Sequence, residues 1–174
     1  MAIMPLTGGC NCEGVRFEVS ERLHGALYCH CTRCQRRTGT AFSVSALTVP
    51  GSFRITRGEE LVRSWQPPDG WGKAFCGECG SHLFSTSLDD PELVAVRMGA
   101  LDEDPGTRPS FHQFVDYAAA WDVLPDDGLP RYGERGAGRR SAGRVSAPQP
   151  GASAVRMDRR ATANTSGSRE SWKP

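Results

Sequence analysis

No run of apolar residues in this chain approaches the length that crosses a bilayer, which excludes a membrane-spanning helix. Helical periodicity is weak throughout, which turns the reading toward short strands. The first residues, Met1-Ala2-Ile3-Met4-Pro5-Leu6, have neither a basic leader nor a long apolar segment, so they are not read as a secretory signal. We therefore expect a reducing, cytoplasmic setting, in which structural disulfides are not expected. Apolar residues make up only 38% of the 174 positions, less than in an average globular chain, and there is no internal repeat beyond recurring cysteine groups.

The apolar shortage has a local cause. From Arg139 to Pro174 there are eight basic and two acidic residues, a net charge of +6. The whole chain carries +1, so residues 1–138 carry −5. The basic segment is Gly, Ala, Ser, Pro and Arg with only scattered Val145, Val155, Met157 and Trp172, too little to offset the entropy of ordering it. We expect a folded domain over 5–134 and a disordered basic tail over 135–174. A basic tail can touch nucleic acid, but the arginines lack aromatic interleaving or a binding motif, so nucleic acid is not an expected partner.

What is present is cysteine. Seven residues fall in tight groups: Cys10-x-Cys12, Cys29-x-Cys31-x-x-Cys34 and Cys76-x-x-Cys79. A C-x-C pair on a strand points both sulfurs to one face. A C-x-x-C pair suits a tight turn converging on one ion, and Gly77 and Gly80 are expected to supply its positive-φ positions. An odd count argues against a disulfide framework. Zinc is the expected ion, with an iron–sulfur centre as the alternative for a four-cysteine set. A closed structural zinc takes four protein ligands and an open one takes three. The middle group can hold an ion alone, which leaves Cys10, Cys12, Cys76 and Cys79 for the other. Spacing leaves open mixed sets, or a histidine completing the second site.

The folded part reads as strands at Val15–Val19, Ala26–Tyr28, Ala41–Val49, Phe53–Thr56, Leu61–Trp65, Lys73–Phe75, His82–Thr86 and Leu93–Met98, separated by Gly, Pro and Asp turns. Phe114–Trp121 is the best helical candidate and fits an extended segment equally well. Trp65, Trp71 and Trp121 read as core or rim packing.

Four blocks resemble the glutathione-dependent formaldehyde-activating enzymes, a family grouped with centromere protein V. They are Gly8-Gly9-Cys10-Asn11-Cys12-Glu13-Gly14-Val15-Arg16, with Glu13 where the family usually has glycine, then Cys29-His30-Cys31-Thr32-Arg33-Cys34-Gln35-Arg36-Arg37-Thr38-Gly39, with Gln35 in place of a basic residue. Phe75-Cys76-Gly77-Glu78-Cys79-Gly80 follows, and a closing block runs through Pro109, His112, Trp121 and Asp127-Gly128-Leu129-Pro130. The resemblance implies a mainly β, small twisted all-β zinc-binding domain of the Mss4-like kind. It also implies two zinc ions: a structural one on Cys10, Cys12, Cys76 and Cys79, and a more open one on Cys29, Cys31 and Cys34.

The activity implied is that of a carbon–sulfur lyase, acting on adducts of a small thiol such as glutathione with an aldehyde such as formaldehyde. Cys29, Cys31 and Cys34 are then the catalytic candidates. An ion with a free position lowers the pKa of a bound thiol. Three anionic thiolates make it a weak Lewis acid, which favours that role over polarising the aldehyde. Arg36 and Arg33 are the candidates for the carboxylates of the thiol, with Arg37 beside them. His30, between two ligands, is expected to face away from the metal as a core or supporting residue. His112 is the remaining acid–base candidate, set against the commoner structural role of a lone histidine. His82 and His24 carry no signal. The alternative reading is a zinc-stapled scaffold without catalysis, against which stands the retention of three cysteines beyond the four a staple needs.

Overall fold

The computed structural model describes residues 5–136. Most of the proposed tail lies outside them. Arg135 and Gly136 lie within them, and the Gly136 N–H reaches Gln113 Oε1 at 3.4 Å.

Eleven strands occur among the described residues: β1 (Leu6–Gly9), β2 (Arg16–Val19), β3 (His24–Cys29), β4 (Ser43–Leu47), β5 (Phe53–Arg57), β6 (Val62–Trp65), β7 (Gly72–Cys76), β8 (His82–Thr86), β9 (Val94–Arg97), β10 (His112–Gln113) and β11 (Arg131–Tyr132). One α-helix, α1 (Thr32–Thr38), follows β3, and three short 3-10 turns sit at Glu59–Leu61, Met98–Ala100 and Val115–Tyr117. The protein is mainly β, as expected. The departures are α1 and the segment 114–121, which yields one 3-10 turn and no helix. Phe114 adopts a left-handed backbone (φ 60°), and the turn closes with Tyr117 N–H on its carbonyl at 3.1 Å.

Strand alternation explains the layers. Along β2, Phe17 and Val19 are buried while Arg16 and Glu18 face outward, the period-two pattern visible in the sequence. A three-stranded antiparallel sheet has the order β1-β2-β5. An eight-stranded sheet has the order β11-β10-β3-β4-β9-β8-β7-β6, antiparallel except where β10 runs parallel to β3 and β11. The core joins the two sheets: Phe17 packs on Phe53 with ring centroids 5.3 Å apart, and Phe53 packs on Phe84 at 4.7 Å. Trp65 (46% exposed) and Trp121 (73% exposed) are not core residues, which leaves the rim as the remaining part of the packing expectation for them.

Candidate metal centres

Two sulfur clusters form. Cys10 and Cys12 lie on the turn after β1, Cys76 ends β7 and Cys79 sits in the turn before β8. Their four sulfurs lie within 4.8 Å of one another, with Cys10–Cys12 at 3.4 Å and Cys12–Cys76 at 3.8 Å. A tetrahedral ion with metal–sulfur bonds near 2.3 Å spaces its ligands about 3.8 Å apart, so the set fits zinc. The turns are held from the backbone. Val15 N–H donates to Cys10 Sγ at 3.2 Å, and Gly80 N–H closes on the Cys76 carbonyl at 2.9 Å. The Ser81 hydroxyl lies 3.2 Å from Cys79 Sγ, and this contact leads the effects that lower the Cys79 thiol to about 5. Against the lowering effect of the Gly14 N–H, the Cys10 and Cys79 sulfurs push Cys12 up to about 12. One of the two expected positive-φ glycines is found. Gly80 has φ 75°, whereas Gly77 does not and is small because a side chain there would press on Arg63 and the Leu61 carbonyl. β1 belongs to one sheet and β7 to the other, so an ion here ties the two sheets together.

The second cluster sits at the junction of β3 and α1. Cys29 ends the strand, Cys31 caps the helix and Cys34 lies in its first turn. The three sulfurs also lie within 4.8 Å of one another, with Cys29–Cys31 at 3.6 Å. Cys31 has extended backbone, and its sulfur accepts the Cys34 N–H at 3.4 Å, an N-cap made by a thiol. Among the described residues no histidine or carboxylate joins the three, so the set is one ligand short of a closed zinc site. No member of this cluster is exposed: Cys29 and Cys34 are buried and Cys31 is half-buried, whereas the first set pairs buried Cys10 and Cys76 with exposed Cys12 and Cys79. Crowding splits the titration. Contacts with Cys29 and Cys31 lead the effects that hold Cys34 well below the ordinary thiol range, helped by Ser43 and the Arg97 charge. Contacts with Cys31 and Cys34 push Cys29 far above it. A divalent cation relieves that repulsion, so both donor sets suit a thiophilic ion.

His30 turns away from the sulfurs, as expected, toward His112. His112 is not a lone histidine. Its Nε2 lies 2.9 Å from Asp127 Oδ2, and its Nδ1 lies 2.9 Å from His30 Nε2. Because a carboxylate only accepts, the network assigns the Nε2 proton of His112 to that bond. His112 Nδ1 then accepts from His30 Nε2–H, which leaves His30 Nδ1 as a buried lone pair without a partner among the described residues. Burial, then the neighbouring His112, lowers the His30 pKa. Both imidazoles are 1% exposed, and Tyr28 stacks on His112 with centroids 4.7 Å apart. The sequence places Asp127 and His112 in the same closing block, but fifteen residues and an irregular loop separate them and hide their pairing.

The arginines divide. Arg33 is already engaged: Nη2 meets Asp69 Oδ1 at 2.8 Å, and the guanidinium lies over Trp65 at 5.9 Å. Arg36 is exposed on α1 with no ion pair among the described residues. Gln35 fastens α1 in place, donating to the carbonyls of His30 (2.6 Å) and Tyr117 (2.7 Å). A cavity of about 420 Å³ lies beside the four-sulfur set, lined by Cys10, Arg16, Ser81, His82 and Asp102 among others. It does not reach the trio. We attach no chemistry to it, since the adjoining sulfurs already complete a four-ligand set. His24 joins neither cluster.

The family model for the glutathione-dependent formaldehyde-activating enzyme matches residues 5–117. A Halomonas elongata protein, provisionally named a glutathione-dependent formaldehyde-activating enzyme, is 28% identical over 125 residues, which cover 68% of this chain and 80% of the relative. A crystal structure of a Rhodobacter sphaeroides protein aligns with a TM-score of 0.49 at 25% identity, over 72% of this chain and 98% of that one. With the family model covering well over half of its length, the chain belongs to the glutathione-dependent formaldehyde-activating enzyme family.

Proposed function

We propose that the protein is a zinc-dependent carbon–sulfur lyase that makes and breaks the adduct between a small thiol and an aldehyde. The observation that carries this is the unequal pair of sulfur clusters: a staple needs four ligands, and the chain builds a second set of three. Family membership supports an enzymatic role, and the name of the Halomonas elongata relative supports glutathione and formaldehyde as substrates. In this reading Cys10, Cys12, Cys76 and Cys79 hold a structural zinc, and Cys29, Cys31 and Cys34 hold a second. Bound at the trio, zinc supplies a positive centre that lowers the pKa of a thiol at the position the protein leaves free.

The remaining roles belong to the chain. In the forward direction the S–H bond breaks, sulfur bonds to the aldehyde carbon, and the proton ends on the former carbonyl oxygen. The reverse direction breaks the C–S bond and returns that proton to sulfur. The Asp127–His112–His30 chain fixes the imidazole of His30, which lies between the ligands Cys29 and Cys31, and holds β3 and β10 in register behind them. Arg36, exposed and without an ion pair, is proposed to meet a carboxylate of the thiol, with Arg33 contributing charge from its place beside Asp69. A reducing cytoplasm, which keeps seven thiols reduced, suits the proposal. Among the described residues no helix is long and apolar enough to cross a membrane.

The test is adduct formation and breakdown by zinc-loaded protein, with the fast uncatalysed background subtracted, against Cys31→Ser. We expect rates above background that fall to background in the variant. Equal rates in the two proteins would remove the enzyme and leave a zinc-stapled scaffold.

A further inference from the structure

Beside the trio, the eight-stranded sheet carries a buried polar face. The register pairs Ser45 with Arg97, Ala95 with Ser85, and Ser85 with Lys73. With side chains alternating along each strand, Ser43, Ser45, Arg97, Ser85 and Lys73 share one side. The opposite side sends Ala46, Val96, Phe84 and Ala74 into the core. Such a face is normally solvated, yet Ser43 is 4%, Ser85 3% and Arg97 8% exposed.

The cations on this face are poorly matched. Arg97 Nη1 donates to the hydroxyls of Ser43 (3.0 Å) and Ser45 (2.7 Å), and Nη2 donates to Ser85 (3.2 Å). Lys73 Nζ donates to the same Ser85 hydroxyl at 3.4 Å. The buried Arg97 Nε has no partner among the described residues, nor do Nη1 and Nη2 of Arg37, which are buried at the end of α1. None of Arg37, Arg97 and Lys73 forms an ion pair among the described residues. Burial, then the Arg97 charge, lowers Lys73 to about 8 and Arg37 to about 10, and only the nearby cysteine sulfurs oppose this. His82 is lowered by burial and by Arg37 and Arg97.

A buried guanidinium without an acceptor is costly, so its natural complement is an anion. The trio alone does not supply enough. Three thiolates around a divalent cation leave a single negative charge, against three positive side chains. A substrate thiolate adds one more, and a carboxylate completes the balance. Arginine pairs with a carboxylate in two parallel hydrogen bonds, and Arg37 has both terminal nitrogens unused.

We propose that Arg37, Arg97 and Lys73 form a carboxylate subsite beside the thiolate trio, holding the anionic end of the thiol substrate. This rests on the thiol-binding role proposed above, and it adds to exposed Arg36 a half-buried arginine, Arg37, whose terminal nitrogens are shielded from solvent. The subsite borders the trio through Ser43, which accepts from Arg97 and is the cross-strand partner of Cys29.

The test is calorimetric titration of zinc-loaded protein with 3-mercaptopropionate, 2-mercaptoethanol and S-methylglutathione. The parent should bind mercaptopropionate about tenfold more tightly than mercaptoethanol, which has the thiol and no carboxylate. Arg37→Gln breaks no hydrogen bond recorded in the structure, and an unchanged melting curve would show that it folds. In that variant the preference should disappear while mercaptoethanol affinity stays the same, and Lys73→Met should reduce it in the same sense. Equal affinity for the two thiols in the parent, or equal loss of both in Arg37→Gln, would overturn the subsite and leave thiol binding intact. If mercaptoethanol and mercaptopropionate both fail to bind, the thiol reading falls and S-methylglutathione, with carboxylates and no free thiol, decides the subsite. Binding that Arg37→Gln weakens supports it, and no binding overturns it.

Discussion

The two sulfur clusters use the same ligand chemistry and differ in nearly everything around it. The four-sulfur set lies on two turns, exposes Cys12 and Cys79, and is bordered by backbone N–H groups and the Ser81 hydroxyl. The trio is buried at a strand–helix junction, backed on one side by the His30–His112–Asp127 chain and on the other by Arg37, Arg97 and Lys73. The cluster that is complete in ligands therefore exposes two of its four cysteines, Cys12 and Cys79, while the incomplete cluster exposes none of its three. A site used only as a staple can tolerate water, because its fourth ligand is already in place. A site that receives a substrate gains from a low-dielectric setting, where each fixed charge acts more strongly.

The sharpest way to break the comparison is to remove one sulfur from each side. Cys76→Ser should abolish the folded domain. Apparent zinc binding in structural sites is worth about 10 kcal/mol or more, as large as the whole stability of a typical domain. Cys31→Ser should do the reverse, keeping the fold and losing one zinc. Serine is a better N-cap than cysteine, so α1 keeps its first hydrogen bond. Circular dichroism melting and metal content per chain read both outcomes. We expect two zinc ions in the parent, and one in Cys31→Ser with a melting temperature within a few degrees. Equal damage from the two substitutions would erase the division of roles. Graded chelator at equilibrium should likewise remove the trio's ion first, despite its burial, because ligand number sets affinity.

The next largest effect belongs to the trio's support. His112→Leu conserves bulk, removes both hydrogen bonds of the buried imidazole and strands His30 Nε2–H. We expect a loss of about 3 kcal/mol by urea denaturation. Zinc affinity should fall at the trio and not at the four-sulfur set. A drop at both sites would show that the two regions are coupled through the shared sheet.

Much of this contrast was legible in the sequence. The cysteine spacing pointed to a division into four and three while leaving mixed sets open, and the alternation in Val15–Val19 or Lys73–Phe75 located strands that the structure contains. What stayed hidden depends on partners distant along the chain. Asp127 reaches His112 across a loop, and Ser43, Arg97 and Lys73 come together only through the β4-β9-β8-β7 register. A strand reading Ser-Val-Ser-Ala-Leu looks half-solvated, and nothing local reveals that its polar side is covered. α1 escaped because seven residues show too little periodicity, and its cap is a cysteine that no N-cap preference would select.

A smaller effect tests the edge of the four-sulfur set. Asp102 is held below its ordinary 3.8, first by its hydrogen bond with Arg16 and then by Thr7. A depressed carboxylate pKa stabilises the fold above that value, and the contribution is lost as pH falls through the folded pKa. Asp102→Asn should therefore melt at a lower temperature than the parent near neutrality. The gap should begin to narrow below about pH 5, as the ordinary carboxylate range is entered, and keep narrowing as pH falls toward the depressed folded value. The comparison is made over the pH range in which both proteins keep their zinc, because the fold depends on it. Because the pair is partly exposed, the gap should be at most a few degrees and should shrink with salt. A gap constant with pH would mean that the side chain acts by packing and not by charge.

The finest comparison lies inside the four-sulfur set, between its two turns. In each, the residue after the second cysteine takes the left-handed conformation: Gly80 with φ 75° and Glu13 with φ 60°. Glycine adopts that backbone without strain, whereas a side chain costs about 1 kcal/mol. The Glu13 side chain makes no recorded hydrogen bond or ion pair, so nothing in the structure offsets the strain. Glu13→Gly should raise stability by about 0.5 kcal/mol, the relief being partly cancelled by the greater freedom of glycine in the unfolded chain. Gly80→Ala is the reciprocal. A methyl group there would meet nothing within 4 Å, so its expected loss of about 1 kcal/mol is conformational alone. Urea midpoints of the two variants at saturating zinc measure both. Opposite signs would show that one backbone requirement governs both turns, met by glycine in one and borne as strain in the other. A loss of stability in Glu13→Gly would show that the carboxylate contributes something at the first turn that the second does without.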